Sequence, residues 1–248
     1  MSIETPEQLA GLRRAGAVVA EVLRTLQAAV KQGVTTGELD ALAAETMAAR
    51  GARSGPILTY GYPGSVCLSI DDEVVHGIPS ERVLHDGELI TLDVALELDG
   101  YHADAATTVA VGEADGTARR LVSAARAALQ AGIRAARPGA TLRDVGAAVQ
   151  RVTEARGFRV IPELHGHGIG RAMHEAPSVY NWPDPEGTLT LTEGLVFTIE
   201  PMIVAGDPEI FVDRDGWTVR TRDHSRSAHE EHTVVLDRDG AQVLTAAP

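Results

Sequence analysis

The sequence predicts an α+β fold, a single domain built from two related halves. Three observations predict it. Helical texture, then strand texture, then helical and strand texture again follow one another along 248 residues. A set of Gly, Pro and Thr positions recurs at a fixed offset. Two apolar strands are each interrupted by one carboxylate, Asp93 and Glu200, at matching places.

The elements follow in order. Thr5-Pro6-Glu7-Gln8 is a capping box with proline at the first helical position. Leu9, Leu12, Val19, Val22, Leu23 and Leu26 then recur near helical period, predicting a helix that Gly33 ends. Thr35-Thr36-Gly37-Glu38 caps a second helix that stops at Gly51. Residues 65–111 turn to β-branched residues and short runs with Gly or Pro punctuation, predicting strands and turns. Alanine-rich helices return over 118–136 and 142–156, and strands follow.

The duplication is testable by offset. Lys31-Gln32-Gly33-Val34-Thr35 lines up with Arg137-Pro138-Gly139-Ala140-Thr141 at an offset of 106. The same offset pairs Glu38 with Asp144, Gly51 with Gly157, Arg53 with Arg159 and Pro56 with Pro162. Gly87 through Asp93 then match Gly194 through Glu200 at an offset of 107. His76-Gly77-Ile78-Pro79 and His174-Glu175-Ala176-Pro177 are both His-x-x-Pro. These matches predict halves of roughly 1–115 and 116–248 around a pseudo-twofold axis. Their helices would lie on one side of a shared sheet, leaving a concave side for a site.

Charge and composition narrow the function. With 22 basic against 35 acidic side chains the net charge is −13, which disfavours nucleic acid or an anionic membrane as partner. Cys67 is the single cysteine, so no internal disulfide forms and a reducing compartment fits. No run of eighteen apolar residues is present, and the acidic start Met1-Ser2-Ile3-Glu4 lacks the apolar core of a signal peptide. The expected location is the cytoplasm.

Asp99-Gly100 is a two-residue hairpin turn that sets Leu98 opposite Tyr101 and Ala95 opposite Asp104. Asp93 then shares a face with Asp104 as its diagonal neighbour, with Cβ atoms roughly 7 Å apart. An exposed surface aspartate suits Asp99, but Asp93 breaks a run of Leu, Ile and Val. Two carboxylates converging on a half-buried hairpin repel unless a cation lies between them. Glu200 interrupts the second apolar strand, and Glu230-Glu231 precede a third. By period two only one of that pair points inward, and alternation leaves open which. Three histidines, His165, His167 and His174, lie among glycines in one short stretch. Zincin, Cys-x-x-Cys, Walker and Gly-x-Ser-x-Gly patterns are all absent. Four carboxylates with one histidine make a mostly hard oxygen site suited to Mn(II), Fe(II), Co(II) or catalytic Zn(II), with charge enough for two ions.

At these residues the chain resembles the type I methionine aminopeptidases of the pita-bread metallopeptidase family, in their short bacterial form. The resemblance rests on Asp72-Glu73-Val74-Val75-His76-Gly77-Ile78-Pro79, Thr91-Leu92-Asp93-Val94 and Gly100-Tyr101-His102-Ala103-Asp104. It continues through Gly166-His167-Gly168-Ile169-Gly170-Arg171, Phe197-Thr198-Ile199-Glu200-Pro201-Met202 and Ser227-Ala228-His229-Glu230-Glu231-His232-Thr233. It implies the pita-bread fold, with a curved antiparallel sheet and helices on its outer face. It also implies two divalent metals (Co, Mn, Fe(II) or Zn) held by Asp93, Asp104, His167, Glu200 and Glu231, which selects Glu231 over Glu230. The implied reaction removes the initiator methionine of nascent proteins when the second residue is small. Glu200 would shuttle the proton, His174 would hydrogen-bond the scissile amide, and His76 would contact the leaving amine. Tyr62, Cys67, Met173 and Trp217 match positions of the methionine pocket. The implied substrate is the N-terminal peptide of a new chain, met in association with the ribosome, and a monomer is expected because the pseudo-twofold supplies internally what a dimer would.

The sequence also departs from that family. Pro56 and Thr59 stand where Cys and Tyr are frequent, Met173 where Phe is, and His229 where Gln is. Two other readings are a non-catalytic pita-bread binder, which usually lacks one or more of the carboxylates, and an Xaa-Pro aminopeptidase or dipeptidase, separable with Ala-Pro substrates.

Overall fold

Capping chemistry and apolar spacing place the helices. The computed structural model describes residues 2–246. Helix α1 (Pro6–Ala29) starts at the Thr5 capping box, and Leu12, Val19, Val22, Leu23 and Leu26 form its buried stripe. It ends short of the expected Gly33 because Val30 leaves helical geometry, and Gly33 instead makes a turn at φ 91°. Helix α2 (Thr36–Ala49) carries the second capping box, Thr35 with Glu38. Strand β1 (Arg53–Ser54) leads into α3 (Gly55–Tyr60), a short helix that the sequence reading did not anticipate. Then come β2 (Cys67–Ile70), β3 (Glu73–Val75), β4 (Leu89–Leu98) and β5 (Tyr101–Ala110).

The second half also opens with two helices and a short strand, α4 (Gly116–Ala135), α5 (Leu142–Ala155) and β6 (Arg159–Val160), and then passes without a helix to β7 (His165–Gly168) and β8 (Glu175–Tyr180). Strands β9 (Val196–Ile199), β10 (Met202–Val204), β11 (Ile210–Val212) and β12 (Val219–Thr221) follow. The last are β13 (Ser227–His229), β14 (His232–Asp237) and β15 (Gly240–Val243). Every strand pairing is antiparallel. One sheet runs β1-β4-β2 with β5 on β4, and the largest runs β15-β14-β9-β7-β8. They meet where the Glu231 N–H donates to the Ala106 carbonyl (2.9 Å) and Thr233 Oγ1 bonds Asp104.

Corresponding pairings occur at the offsets seen in the sequence. Ser54 pairs with Leu96 as Val160 pairs with Ile203. The bridge Thr35–Val83 corresponds to Thr141–Thr190. The Gly33 N–H donates to Leu84 O as that of Gly139 does to Leu191 O. Two large apolar cores result, with a smaller cluster around Val74, Ile161, Met202 and Val219. α1 covers β4 and β5 and α2 packs on α1 and β1, burying Leu12, Val19, Leu39 and Met47, and α4 and α5 cover the second half through Leu121, Leu129, Val145 and Val149. Each fully buried Leu or Val side chain contributes about 1.5–3 kcal/mol. The helices therefore hold the strands rigid from one side, and the strands carry the polar side chains on the other.

One close approach gives a sharp test of this packing. In α1, a Cβ at Gly16 would fall 2.3 Å from the backbone carbonyl oxygen of Leu244. In an unconstrained helix Gly→Ala stabilises by roughly 0.5–1 kcal/mol. Here Gly16→Ala is expected to destabilise by about 1–3 kcal/mol through overpacking. Urea unfolding checks this, and a raised or unchanged midpoint contradicts the close approach.

Candidate metal centre and substrate pocket

The β4–β5 hairpin forms in the register set by Asp99-Gly100, with Leu98 opposite Tyr101 and Ala95 opposite Asp104. Asp93 and Asp104 therefore share the concave face. Asp93 also lies directly across from Cys67 on β2. His167 sits on β7, where β8 approaches so closely that a Cβ at Gly168 would lie 2.1 Å from the Ala176 carbonyl oxygen. Glu200 follows β9, and its Oε1 accepts from Thr198 Oγ1 (2.7 Å).

Glu231 and Glu230 separate in the turn between β13 and β14. Glu231 is 2% exposed and faces the other carboxylates. Glu230 turns away, accepting from Arg126 Nε (3.1 Å) and Thr107 Oγ1 (3.2 Å).

The eleven side chains to which the resemblance gives a role line one cavity of about 440 Å³. Asp93, Asp104, His167, Glu200 and Glu231 lie together there with His76 and His174, and Tyr62, Cys67, Met173 and Trp217 form its apolar wall. The structure brings ligand-capable atoms of Asp104, His167 and Glu231 within 4.8 Å of one another. His167 Nε2 is 3.5 Å from Glu200 Oε1 and 3.9 Å from Asp104 Oδ2. Tyr62 packs edge-on to Trp217 at 5.2 Å between ring centroids and donates to the Gly77 carbonyl (2.7 Å). A larger depression of about 550 Å³, lined by Arg119, Arg120, Arg156 and Phe158, holds no carboxylate or histidine.

Burial sets the electrostatics. It raises the Asp93 pKa to about 7. Burial, with the charge of Asp93 adding to it, raises that of Glu200 to about 8. Burial lifts Asp104 and Glu231 well above the carboxylate range, and the neighbouring carboxylates lift them further. Burial also drives His167 and His229 down to about 3, so both rings are neutral. The His167 Nδ1 lies 3.0 Å from the Gly168 carbonyl oxygen, which can only accept. The ring proton is therefore on Nδ1, and the Nε2 lone pair faces the carboxylates.

A divalent cation fits this donor set. Asp104 Oδ1 and Glu231 Oε1 are buried with no hydrogen-bond partner among the described residues. Buried polar atoms are ordinarily satisfied, and no Lys or Arg lines the cavity. Acceptors facing one another without donors are what a hard cation requires.

Sequence reading missed Tyr60, whose hydroxyl pairs with His174 Nδ1 (2.6 Å) from the end of α3. The signal was its place two residues before Tyr62 in an aromatic, glycine-rich turn. Of the departures noted above, Pro56, Met173 and His229 line the cavity and Thr59 does not.

The chain matches the metallopeptidase family M24 over residues 10–238. It belongs to that family. Its M24 relatives include the methionine aminopeptidase of Escherichia coli strain K12, 42% identical over 99% of this chain and 94% of that protein. Methionine aminopeptidase B of Synechocystis is 42% identical over 97% of this chain and 90% of its own. The crystal structure of the Rickettsia prowazekii methionine aminopeptidase superposes with a TM-score of 0.95 at 38% identity, covering 99% of this chain and 100% of that one. The Pyrococcus furiosus prolidase, at 21% identity and a TM-score of 0.81, shares the fold while this chain covers 66% of it. The pita-bread M24 fold is thus the fold of this chain, and its buried Asp104, His167 and Glu231 could hold a metal ion.

A cation that binds only the folded site stabilises it by about 2.7 kcal/mol at one hundred times its Kd. Mn(II) or Co(II) should raise the melting temperature of chelator-treated protein, and EDTA should reverse the rise. An unchanged melting temperature with every divalent ion tried would contradict a metal centre here.

Proposed function

We propose that the chain is a metal-dependent aminopeptidase that removes an N-terminal methionine from polypeptides whose second residue is small. The observation that carries this reading is one cavity whose floor is Asp93, Asp104, His167, Glu200 and Glu231 and whose wall is aromatic and sulfur-bearing. The M24 relatives named as methionine aminopeptidases over nearly their whole length support it.

Those floor residues would hold two divalent ions (Co, Mn, Fe(II) or Zn), and such a pair supplies Lewis acidity and a water nucleophilic near neutral pH. The chain's own side chains do the rest. Glu200, whose Oε1 accepts from Thr198 Oγ1 at 2.7 Å, would carry the proton from the attacking water to the leaving amine. Desolvation and neighbouring imidazoles lower the His174 pKa to about 4, so its ring is neutral. In the tautomer whose Nδ1 accepts from the Tyr60 hydroxyl, Nε2 would carry the ring proton and offer it to the oxygen of the scissile amide. His76 lines the same cavity and would contact the leaving amine. Tyr62, Cys67, Met173 and Trp217 would take the methionine side chain, whose thioether packs favourably on rings and sulfur.

The proposal extends to the chain's setting. We read residues 1–248 as one catalytic domain of two copies of a helix-helix-strand unit, a reading that the repeated registers support. We read it as a cytoplasmic monomer that meets its substrates as they leave the ribosome. The reduced, buried Cys67 supports the compartment, and no helix among the described residues is long and apolar enough to cross a membrane.

Incubation of the purified protein with Mn(II) or Co(II) and Met-Ala-Ser is expected to release free methionine. No release with any divalent metal overturns the reading, and cleavage of Ala-Pro substrates instead would favour an Xaa-Pro peptidase. Glu200→Gln should keep its circular dichroism spectrum and lose most turnover, whereas near-normal rates would remove Glu200 as the shuttle. His174→Ala should lower kcat by roughly 10²–10³ with little change in KM, as loss of a donor to a developing oxyanion does. A rise in KM alone would assign His174 to ground-state binding.

A further inference from the structure

We propose that His229 is a further donor to the metal centre, bringing a second imidazole to the Glu200–Glu231 side of the cavity. The inference rests on the metal-centre reading above. His229 ends β13 and is 2% exposed. Its backbone is held on both sides by Thr108 Oγ1, which accepts from the His229 N–H and donates to the His229 carbonyl, each at 2.9 Å. The backbone that carries the ring is thus held, and His229 lines the cavity.

Neither ring nitrogen has a hydrogen-bond partner among the described residues. A neutral imidazole carries one N–H and one lone pair, and leaving a buried polar group unmatched costs about 1–3 kcal/mol. Nearby histidines meet that demand within the protein. His232 Nδ1 pairs with Thr245 Oγ1 at 2.9 Å, and His167 Nδ1 with the Gly168 carbonyl at 3.0 Å.

What His229 does have is two carboxylates. Its Nε2 lies 3.9 Å from Glu200 Oε2 and 3.8 Å from Glu231 Oε2. His167 stands in nearly the same relation to its own pair, at 3.5 Å from Glu200 Oε1 and 3.9 Å from Asp104 Oδ2. These separations are too long for hydrogen bonds. They lie within the about 4.3 Å that two donors on one ion can span, since each is about 2.0–2.2 Å from it. Glu200 is thus flanked by one imidazole on each of its oxygens. An added imidazole in a carboxylate-rich set favours Zn(II) and Co(II) over Mn(II), because nitrogen is the softer donor.

X-ray absorption on the Zn(II)-loaded full chain tests this, with His229→Gln and His229→Asn as variants. The wild type is expected to show two imidazole ligands per chain and each folded variant one. The preference for Zn(II) over Mn(II) in direct competition should fall on the order of tenfold or more in the variants. Should neither variant fold, the wild-type imidazole count decides alone. Zinc bound with a single imidazole per wild-type chain overturns the role of His229 and leaves the metal centre intact. Failure of the wild type to bind zinc overturns both.

Discussion

Bringing carboxylates together out of water is unfavourable, and this fold does it with Asp93, Asp104, Glu200 and Glu231 around one cavity. Their mutual repulsion, added to burial, holds the pKa values up. The arginines that could relieve it are occupied behind the strands. Arg220 binds Asp72, Glu73 and Asp213, each at 2.7 Å. Arg126 pairs with Glu230 at 3.1 Å, drawing that carboxylate to the helix side. The molecule thus sorts its acids into those neutralised by arginine and those left facing one another. A divalent cation would compensate the second group, and its binding would then be coupled to the fold that gathers them.

Such a cluster needs a stiff frame, because each carboxylate would relax toward water if its strand could move. The frame comes from strands gripped by helices on one side and by each other at the edges. Asp104 is fixed through Thr233, a residue of the other half, which both accepts from and donates to its backbone. Glu231 is fixed by the Ala106 carbonyl in the same exchange. The two halves therefore cross-brace the site. Loosening either half would splay the ligands, so stability and donor geometry are the same property here.

Much of this was legible in the sequence. The capping boxes at Thr5, Thr35 and Thr141 mark the starts of long helices because cap chemistry is local. The Asp99-Gly100 turn fixed the register of ten residues on either side, and with it the shared face of Asp93 and Asp104. What was not legible depends on distant contacts. Residues Gly55–Tyr60 are too few to show a period, and Ile57, Leu58 and Tyr60 lie exposed there, so no apolar stripe marks the helix. Alternation could not choose between Glu230 and Glu231, because both fall in the gap between β13 and β14, which belong to different sheets. The decision is made by Arg126 and the Ala106 carbonyl, both far away in the chain.

The pairing of Cys67 with Asp93 joins the apolar wall of the cavity to its acidic floor. They face each other across β2 and β4, so their side chains share one face. Directly opposed residues have Cβ atoms roughly 4.5–5.5 Å apart. One belongs to the apolar wall and the other to the acidic floor. The apolar wall at Cys67 and the carboxylate of Asp93 are therefore immediate neighbours on one face of the sheet. Because side chains alternate faces along a strand, a slip of one residue in this pairing would turn Cys67 out of the wall while Asp93 stayed. Strand register at this pairing is thus what holds the apolar wall and the acidic floor side by side.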